Sequence, residues 1–145
     1  MISYFTEGIK FKFTNKREYN NWVKATIEQE SKSDPKKSGN ICIIFCSDEY
    51  LLEVNKKFLL HEYYTDVITF DNSEKGYISG DIFVSIDSVR INAQYYKQEF
   101  RDELNRVIIH GVLHLLGYKD KTLKQKMLMR ERENFYLAKI NLNDR

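Results

Sequence analysis

The stretch RDELNRVIIHGVLHLLGYKD, residues 101–120, decides how the rest of the chain must be arranged. Its apolar side chains recur at helical spacing and extend nearly all round the helix, at Leu104, Val107, Ile108, Ile109, Val112, Leu113, Leu115 and Leu116. A surface helix carries a single apolar stripe, so a helix that is apolar on most sides is expected to be buried. The pattern therefore predicts a buried helix over about residues 101–116.

Two of the three histidines, His110 and His114, lie on this predicted helix. A buried imidazole needs a partner, because at least one of its two nitrogens is a hydrogen-bond donor. Residues four apart lie one turn apart on the same helix face, so both rings can reach a single ion. The pair alone is equally compatible with a metal site and with two core histidines satisfied by the protein.

The residues after the pair favour the metal site. Gly117 follows the last apolar residue, where a left-handed glycine commonly ends a helix. Asp120 comes three residues later, close enough for its carboxylate to reach the helix side that bears His114. Two imidazoles and a carboxylate leave the fourth position of a tetrahedral zinc open, as in catalytic zinc sites. The alternative is that Asp120 caps a helix that begins near Thr122.

Apolar periodicity and cap signals also predict elements outward from this helix. The predicted strands are GIKFKFT (8–14), ICIIFC (41–46), DVITF (66–70) and DIFVSID (81–87). One helix follows a capping box formed by Asn15 and Glu18, and another follows the cap Ser47. Further helices are expected over about 88–98 and 122–139, and residues 31–40 form a loop with the only proline. Strands covered by helices indicate an α+β or α/β sandwich.

The buried faces of the first two helices can be read from helical spacing. The first should bury Tyr19, Trp22, Val23, Thr26 and Ile27. The second should bury Leu51, Val54 and Phe58.

Composition narrows the class of protein. The chain has 145 residues, 42% of them hydrophobic, and a net charge of +2, which fits one domain over residues 1–145 and excludes a histone-like electrostatic clamp. The basic residues concentrate in residues 101–145, which contain ten Lys and Arg and only six Asp and Glu. Such an excess indicates either an anionic partner or a solvated helix face.

The sequence shows no segment for targeting or crossing a membrane. No apolar run approaches the ~18 residues that a membrane span needs, and the N-terminus lacks the pattern of a signal peptide. We therefore expect a cytoplasmic protein with no membrane partner. Cys42 and Cys46 share one predicted strand about 13 Å apart, so they cannot form a disulfide with each other and are read as small buried hydrophobes.

Three blocks of the sequence resemble the YbeY family, metal-dependent endoribonucleases also called ribosomal RNA maturation factors. HGVLHLLGYKD (110–120) resembles the family signature H-G-x-L-H-L-x-G-Y-D-H. The stretch from Asn55 to Phe70 resembles its Asn-x-x-aromatic segment followed by Thr-Asp-Val-Leu-Ser-Phe, and GDIFVSID (80–87) resembles its Gly-Asp-Ile strand. The resemblance implies a small mixed four-stranded sheet packed against about five helices.

This sequence departs from the family pattern at the metal ligands. The family's third ligand is a histidine where this chain has Asp120, and Lys119 stands where the family usually has aspartate. With His110, His114 and Asp120 as ligands we expect one Zn²⁺ per chain, and the harder carboxylate should make Mn²⁺ or Mg²⁺ more acceptable.

The resemblance implies hydrolysis of single-stranded RNA in ribosomal RNA maturation and quality control of the small ribosomal subunit. A metal with an open position can lower the pKa of its water toward neutrality, and Thr65 and Asp66 could supply polar groups nearby, unless they only cap a strand entrance. A metalloprotease is disfavoured, because Gly111 stands where the HExxH motif has its glutamate base. A ribosome-assembly factor with a structural metal, or a metallohydrolase of another substrate, remains the alternative.

The RNA contacts must differ from those of the family, because Leu59 stands where the family often has arginine. The candidate phosphate contacts are Lys56, Lys57, Arg106, Lys119 and Lys121, although a residue of this kind is more often an ordinary surface charge than a phosphate ligand. His61 has no ligand spacing to the histidine pair and is expected to be solvated.

Overall fold

The computed structural model describes residues 1–61 and 64–140. Within these ranges the elements in chain order are β1 (Ile2–Glu7), α1 (Lys16–Glu30), β2 (Lys37–Cys46), α2 (Asp48–Leu59), β3 (Val67–Asp71), β4 (Tyr77–Ser85), α3 (Ile86–Tyr95), α4 (Phe100–Leu115) and α5 (Leu123–Leu137). The α+β class, with a small four-stranded sheet and five helices, is confirmed.

The sheet has the strand order β1-β2-β4-β3. Strands β1, β2 and β4 are parallel, and β3 pairs antiparallel with β4 to make the sheet mixed. Along β2, Ile43 and Phe45 face the larger core, whereas Cys46 faces a smaller core beneath Leu51 of α2. A strand covered on both faces needs apolar residues at successive positions, which explains the unbroken run ICIIFC.

Helix α4 is the central helix, as its apolar sequence predicted. It packs against β3, β4, α3 and α5, and most of its residues are buried. It also runs very close to the sheet, because a Cβ added at Gly111 would lie 2.6 Å from Cγ2 of Ile82 in β4. The sheet and the neighbouring helices therefore fix the position of the two histidines.

The prediction of a strand over residues 8–14 was wrong. The edge strand β1 lies earlier, at Ile2–Glu7, and takes the pairing position beside β2. Ile9, Phe11 and Phe13 are nevertheless half-buried against the core, with exposed lysines between them. Alternating burial on a packed loop therefore produced the same sequence pattern as a strand.

The cap and face predictions for the first two helices had mixed outcomes. Asn15 has a left-handed backbone, with φ of 65°, and makes no side-chain cap bond, so the predicted capping box at α1 was wrong. The five residues of the predicted buried face of α1 are all buried. In α2, Ser47 accepts a hydrogen bond from the Tyr50 amide as predicted, but Phe58 is 61% exposed and does not join the core.

Several boundaries and the cysteines also differ in detail from expectation. The loop after α1 is shorter than predicted, because β2 begins at Lys37, and β4 begins at Tyr77 rather than near residue 81. Both cysteines are free, with Cys46 buried and Cys42 half-buried. In the described part of the chain, no helix is both long and apolar enough to span a membrane.

Candidate metal centre

The end of α4 and the turn after it bring the predicted ligands together. The amide of Gly117 donates to the carbonyl of His114 at 3.0 Å, and the amide of Tyr118 donates to the carbonyl of Leu113 at 3.0 Å. This pair of bonds is a Schellman motif, and Gly117 has the left-handed φ of 103° that it requires. The turn reverses the chain, so Asp120 comes back beside the histidines as the sequence predicted.

Three ligand atoms converge at this point. The Nε2 atoms of His110 and His114 lie 2.9 Å apart, and Oδ2 of Asp120 lies 3.2 Å from the first and 3.4 Å from the second. Among the residues that the structure describes, these three form the group of His, Cys, Asp or Glu side chains that could hold a metal ion.

The second nitrogen of each imidazole has a partner that fixes its proton. Nδ1 of His114 lies 2.9 Å from the carbonyl oxygen of Tyr118, which can only accept, so Nδ1 carries the hydrogen. Nδ1 of His110 lies 2.6 Å from the Oε2 atom of Glu133. In the neutral rings both Nε2 atoms therefore present lone pairs to each other and to a carboxylate, an arrangement that a cation between them stabilises.

The donor set fits a divalent metal ion. At the usual zinc bond lengths of about 2.0–2.2 Å, neighbouring tetrahedral ligands are about 3.3–3.6 Å apart. The two separations to Asp120, 3.2 and 3.4 Å, are close to this range, and the two Nε2 atoms, 2.9 Å apart, are closer together. The imidazoles are 20% and 23% exposed and the carboxylate 40%, so the group opens to a cleft on one side. Three protein ligands with an open side are typical of catalytic rather than structural zinc sites.

Glu133 of α5 is a functional residue that sequence reasoning missed. Its side chain is only 5% exposed, and it also accepts a hydrogen bond from Arg106 at 2.8 Å. Burial raises the pKa of Glu133, but hydrogen bonds from His110 and Arg106 more than offset this, so its pKa is lowered and it stays ionised. It lies 23 residues after His110 on another helix, and no sequence spacing connects the two.

Glu133 also stabilises the charged form of His110. Burial lowers the pKa of the His110 imidazole, but the hydrogen bond and charge of Glu133 act in the opposite direction, and the net pKa is raised.

The capping alternative for Asp120 is wrong. The N-cap of α5 is Thr122, whose side chain accepts from the amide of Gln125, while the Gln125 side chain accepts from the amide of Thr122. This capping box satisfies the start of α5 without Asp120. The carboxylate is left directed at the two imidazoles.

The cleft beside the three ligands has two arms, which share Asp66, Val67, His110 and Asp120. The arm of about 290 Å³ along β3, here called the β3 arm, is lined also by Asn55, Leu59, His61, Thr65, Ile68 and Thr69. The arm of about 360 Å³ beside α5, here called the α5 arm, is lined also by Asn92, Tyr96, Glu103, Arg106, Val107, Lys126, Met129, Arg130 and Glu133.

The polar residues Thr65 and Asp66 both line the cleft. Asp66 stands at the junction of the arms, and burial raises the pKa of its carboxyl despite the lowering effect of nearby His110. Thr65 lines the β3 arm, and its hydroxyl donates to the carbonyl of Val67 at 3.5 Å. His61, expected to be merely solvated, also lines the β3 arm.

Of the five predicted phosphate contacts, one lines the cleft. Arg106 lines the α5 arm, but its guanidinium is held by Glu133 and by Asn134, each at 2.8 Å. Lys119 and Lys121 are exposed on either side of Asp120. Lys56 lies 3.7 Å from Glu53, and Lys57 lies over the ring of Phe58; neither lines an arm of the cleft.

Comparison with known proteins points to one family. A family model described as endoribonuclease YbeY matches residues 4–141. Relatives named endoribonuclease YbeY occur in Phocaeicola vulgatus, 48% identical over 98% of this chain and 100% of the relative, and in Cytophaga hutchinsonii, 49% identical over 94% of each. The solution structure of TM1509 from Thermotoga maritima superimposes with a TM-score of 0.63 and 29% identity, covering 97% of this chain and 89% of that one.

Proposed function

The chain belongs to the endoribonuclease YbeY family and is an endoribonuclease, and from this premise we propose that it hydrolyses single-stranded RNA with a divalent ion held by His110, His114 and Asp120. The observation that supports the ion is the convergence of the two Nε2 atoms and one carboxylate oxygen within 3.4 Å at the wall of the cleft. These are the donor types that a divalent ion such as zinc takes in proteins.

The ligand set favours zinc. Imidazole nitrogens suit zinc, whereas the carboxylate oxygen of Asp120 is a harder donor that also suits Mn²⁺ or Mg²⁺. When bound, such an ion supplies Lewis acidity toward a phosphate oxygen and lowers the pKa of water at the open side of the site.

The residues around the ligand group orient the two histidines and supply a proton acceptor. Glu133 holds the His110 ring by its Nδ1 hydrogen and so keeps Nε2 directed into the cleft. The Tyr118 carbonyl does the same for His114. Asp66, at the junction of the two arms, is placed to take a proton from the attacking water through its carboxylate, and Thr65 lies beside it on the cleft wall.

We further propose that the substrate is ribosomal RNA, cut during maturation or quality control of the small ribosomal subunit in the cytoplasm. The open cleft supports an unpaired substrate, because a strand can enter it more easily than an A-form duplex can.

The test combines metal analysis with RNA cleavage. The purified protein should contain about one equivalent of zinc per chain and cut single-stranded RNA but spare duplex RNA. A chelator should abolish cleavage and added zinc should restore it. His110→Ala and His114→Ala should each lose both metal and cleavage, because each removes one of three ligands.

His61→Ala provides the matched control, since it removes a histidine that lines the cleft outside the ligand group. Its metal content should equal that of the parent protein. Full metal occupancy in His110→Ala or His114→Ala, or cleavage that a chelator leaves unchanged, would contradict the proposal.

A further inference from the structure

The two arms of the cleft differ in the charges that line them. The α5 arm carries the cations Arg106, Lys126 and Arg130 and the carboxylates Glu103 and Glu133. Among the residues that the structure describes, none of those lining the β3 arm is Lys or Arg. A polyanionic strand that crosses the metal centre therefore meets positive charge on one side of it only.

Lys126 and Arg130 are the cations of the α5 arm best placed to bind an anion. They lie one turn apart on α5, about 6 Å along the helix, and both are exposed. The side-chain nitrogen of Arg130 is 3.9 Å from Glu133, but that carboxylate already accepts from Arg106 and His110 at shorter distances. Arg106 is committed to holding Glu133, whereas Arg130 and Lys126 extend into the open part of the arm.

Tyr96 gives the same arm an aromatic surface. It is the C-cap residue of α3, is 59% exposed, and lines the arm. Exposed aromatic rings beside basic side chains are the usual platform for unpaired bases, because every base has a face that can stack. A base within a duplex is already stacked and paired, so such a platform discriminates in favour of single strands.

We propose that the α5 arm binds the RNA on one side of the scissile phosphate, with Lys126 and Arg130 on backbone phosphates and Tyr96 stacked on an unpaired base. The β3 arm accommodates the other flank without charged contacts. The inference rests on the proposed function for the position of the scissile bond, but RNA binding by the arm can be measured without cleavage.

The first experiment removes the two cations together. Binding of fluorescently labelled single-stranded RNA is measured by anisotropy at several salt concentrations, with chelator present to prevent cleavage. Lys126→Ala/Arg130→Ala should bind several-fold more weakly, and the slope of log affinity against log salt should fall in magnitude by about 1.4, since each phosphate contact contributes about 0.7 on a single strand. In the metal-loaded enzyme KM should rise and kcat should stay close to that of the parent.

The control is Lys24→Ala/Lys124→Ala, which changes the net charge equally. Both lysines are exposed, Lys24 on α1 and Lys124 on α5 about 200° round the helix from Lys126, and neither lines an arm. This variant should keep the parent salt slope. Equal losses in the two double variants, or an unchanged slope in Lys126→Ala/Arg130→Ala, would overturn the inference.

Tyr96 is tested by a pair of substitutions. Tyr96→Ala should weaken binding of single-stranded RNA by roughly 5-fold or more, whereas Tyr96→Phe keeps the ring and should bind like the parent. Parent-like binding by Tyr96→Ala would refute the stacking role. If the parent binds RNA through this arm but shows no chelator-sensitive cleavage, the proposed function fails and the inference about binding stands. If the parent shows chelator-sensitive cleavage but all the variants bind RNA like the parent, the proposed function stands and the inference about binding fails.

Discussion

Asp120 is the member of the candidate ligand group that does not come from α4, and it lies beside the histidines because the turn at Gly117 reverses the chain. Its Oδ2 atom lies within 3.4 Å of both Nε2 atoms, and Thr122 performs the capping task that it might otherwise have. A carboxylate carries a full negative charge where the family pattern has a neutral imidazole. The charge should therefore be a large part of the affinity for a divalent ion at this site.

Substitution of Asp120 tests this directly. Asp120→Asn keeps the shape but removes the charge, so zinc affinity should fall by at least about tenfold. Asp120→His restores the ligand set that the family signature contains and should retain zinc while weakening Mn²⁺ and Mg²⁺. A competition titration with a chromogenic chelator measures both. An Asp120→Asn protein that binds zinc as tightly as the parent would remove Asp120 from the ligand set.

Glu133 should control metal affinity without touching the ion. Glu133→Gln keeps an acceptor near His110 but removes the charge that favours the Nδ1 hydrogen and strengthens Nε2 as a donor to the metal. Zinc affinity should fall by about 10- to 100-fold. Asn134→Ala is a useful control, since it removes the other partner of Arg106 but leaves Glu133 on His110. If Asn134→Ala loses as much zinc affinity as Glu133→Gln, the loss is caused by the displacement of Arg106 and not by the missing carboxylate charge.

At the scale of elements, the sequence determined helices better than strands. The buried face of α1 and the extent of α4 followed directly from helical spacing, because side chains three and four apart share a surface. Residues 8–14 misled because alternating burial also occurs on a loop packed against a core. Whether a segment becomes the edge strand depends on whether it pairs with β2, as Ile2–Glu7 does. Local periodicity does not show which of two neighbouring segments will form that pairing.

Some residues of the candidate site could be predicted from the sequence and others could not. His110, His114 and Asp120 could be predicted because they lie within one helix and its turn, where sequence spacing translates into distance. Glu133 and His61 could not, because each comes close to the histidine pair from a part of the chain distant in sequence. Long-range packing of this kind leaves no spacing signal in a single sequence.

Gly111 shows how the packing of α4 on β4 limits its sequence. Glycine inside a helix usually costs about 1 kcal/mol relative to alanine, so Gly111→Ala would ordinarily stabilise α4. Here the added Cβ would lie 2.6 Å from Ile82, and overpacking of a core typically costs about 1–3 kcal/mol. We expect a net loss of stability in urea unfolding. In an Ile82→Leu background, which lacks the Cγ2 methyl, Gly111→Ala should cost less stability. An unfolding midpoint of Gly111→Ala at or above that of the parent would contradict the close contact.

At the scale of the whole molecule, one carboxylate connects the first helix to the metal-site turn and the last helix. Glu30 of α1 accepts hydrogen bonds from the hydroxyls of Tyr118 and Tyr136 and lies 3.3 Å from Arg132. The carbonyl of the same Tyr118 orients His114. Helices distant in sequence thus converge on the residue that follows Gly117, and loss of this connection should loosen the turn that carries Asp120.

This connection predicts how stability responds to alkaline pH. Burial, together with the hydrogen bond to Glu30, raises the pKa of Tyr118 from 10.0 to about 12. Below pH 10 both the folded and the unfolded protein keep the phenol proton, and the bond contributes fully. As pH rises from about 10 to 12, the unfolded chain ionises first, so the free energy of unfolding should fall until the folded pKa is passed.

Tyr118→Phe should remove that part of the pH dependence. It should cost about 1 kcal/mol near neutral pH, the usual value of one hydrogen bond, and give a shallower fall in stability above pH 10. Tyr95→Phe is the matched control, because it removes the same hydroxyl group from a tyrosine that is 77% exposed on α3. Urea unfolding at a series of pH values measures all three proteins. If Tyr118→Phe loses stability above pH 10 as steeply as the parent, the phenol of Tyr118 is not what holds the metal-site turn to α1.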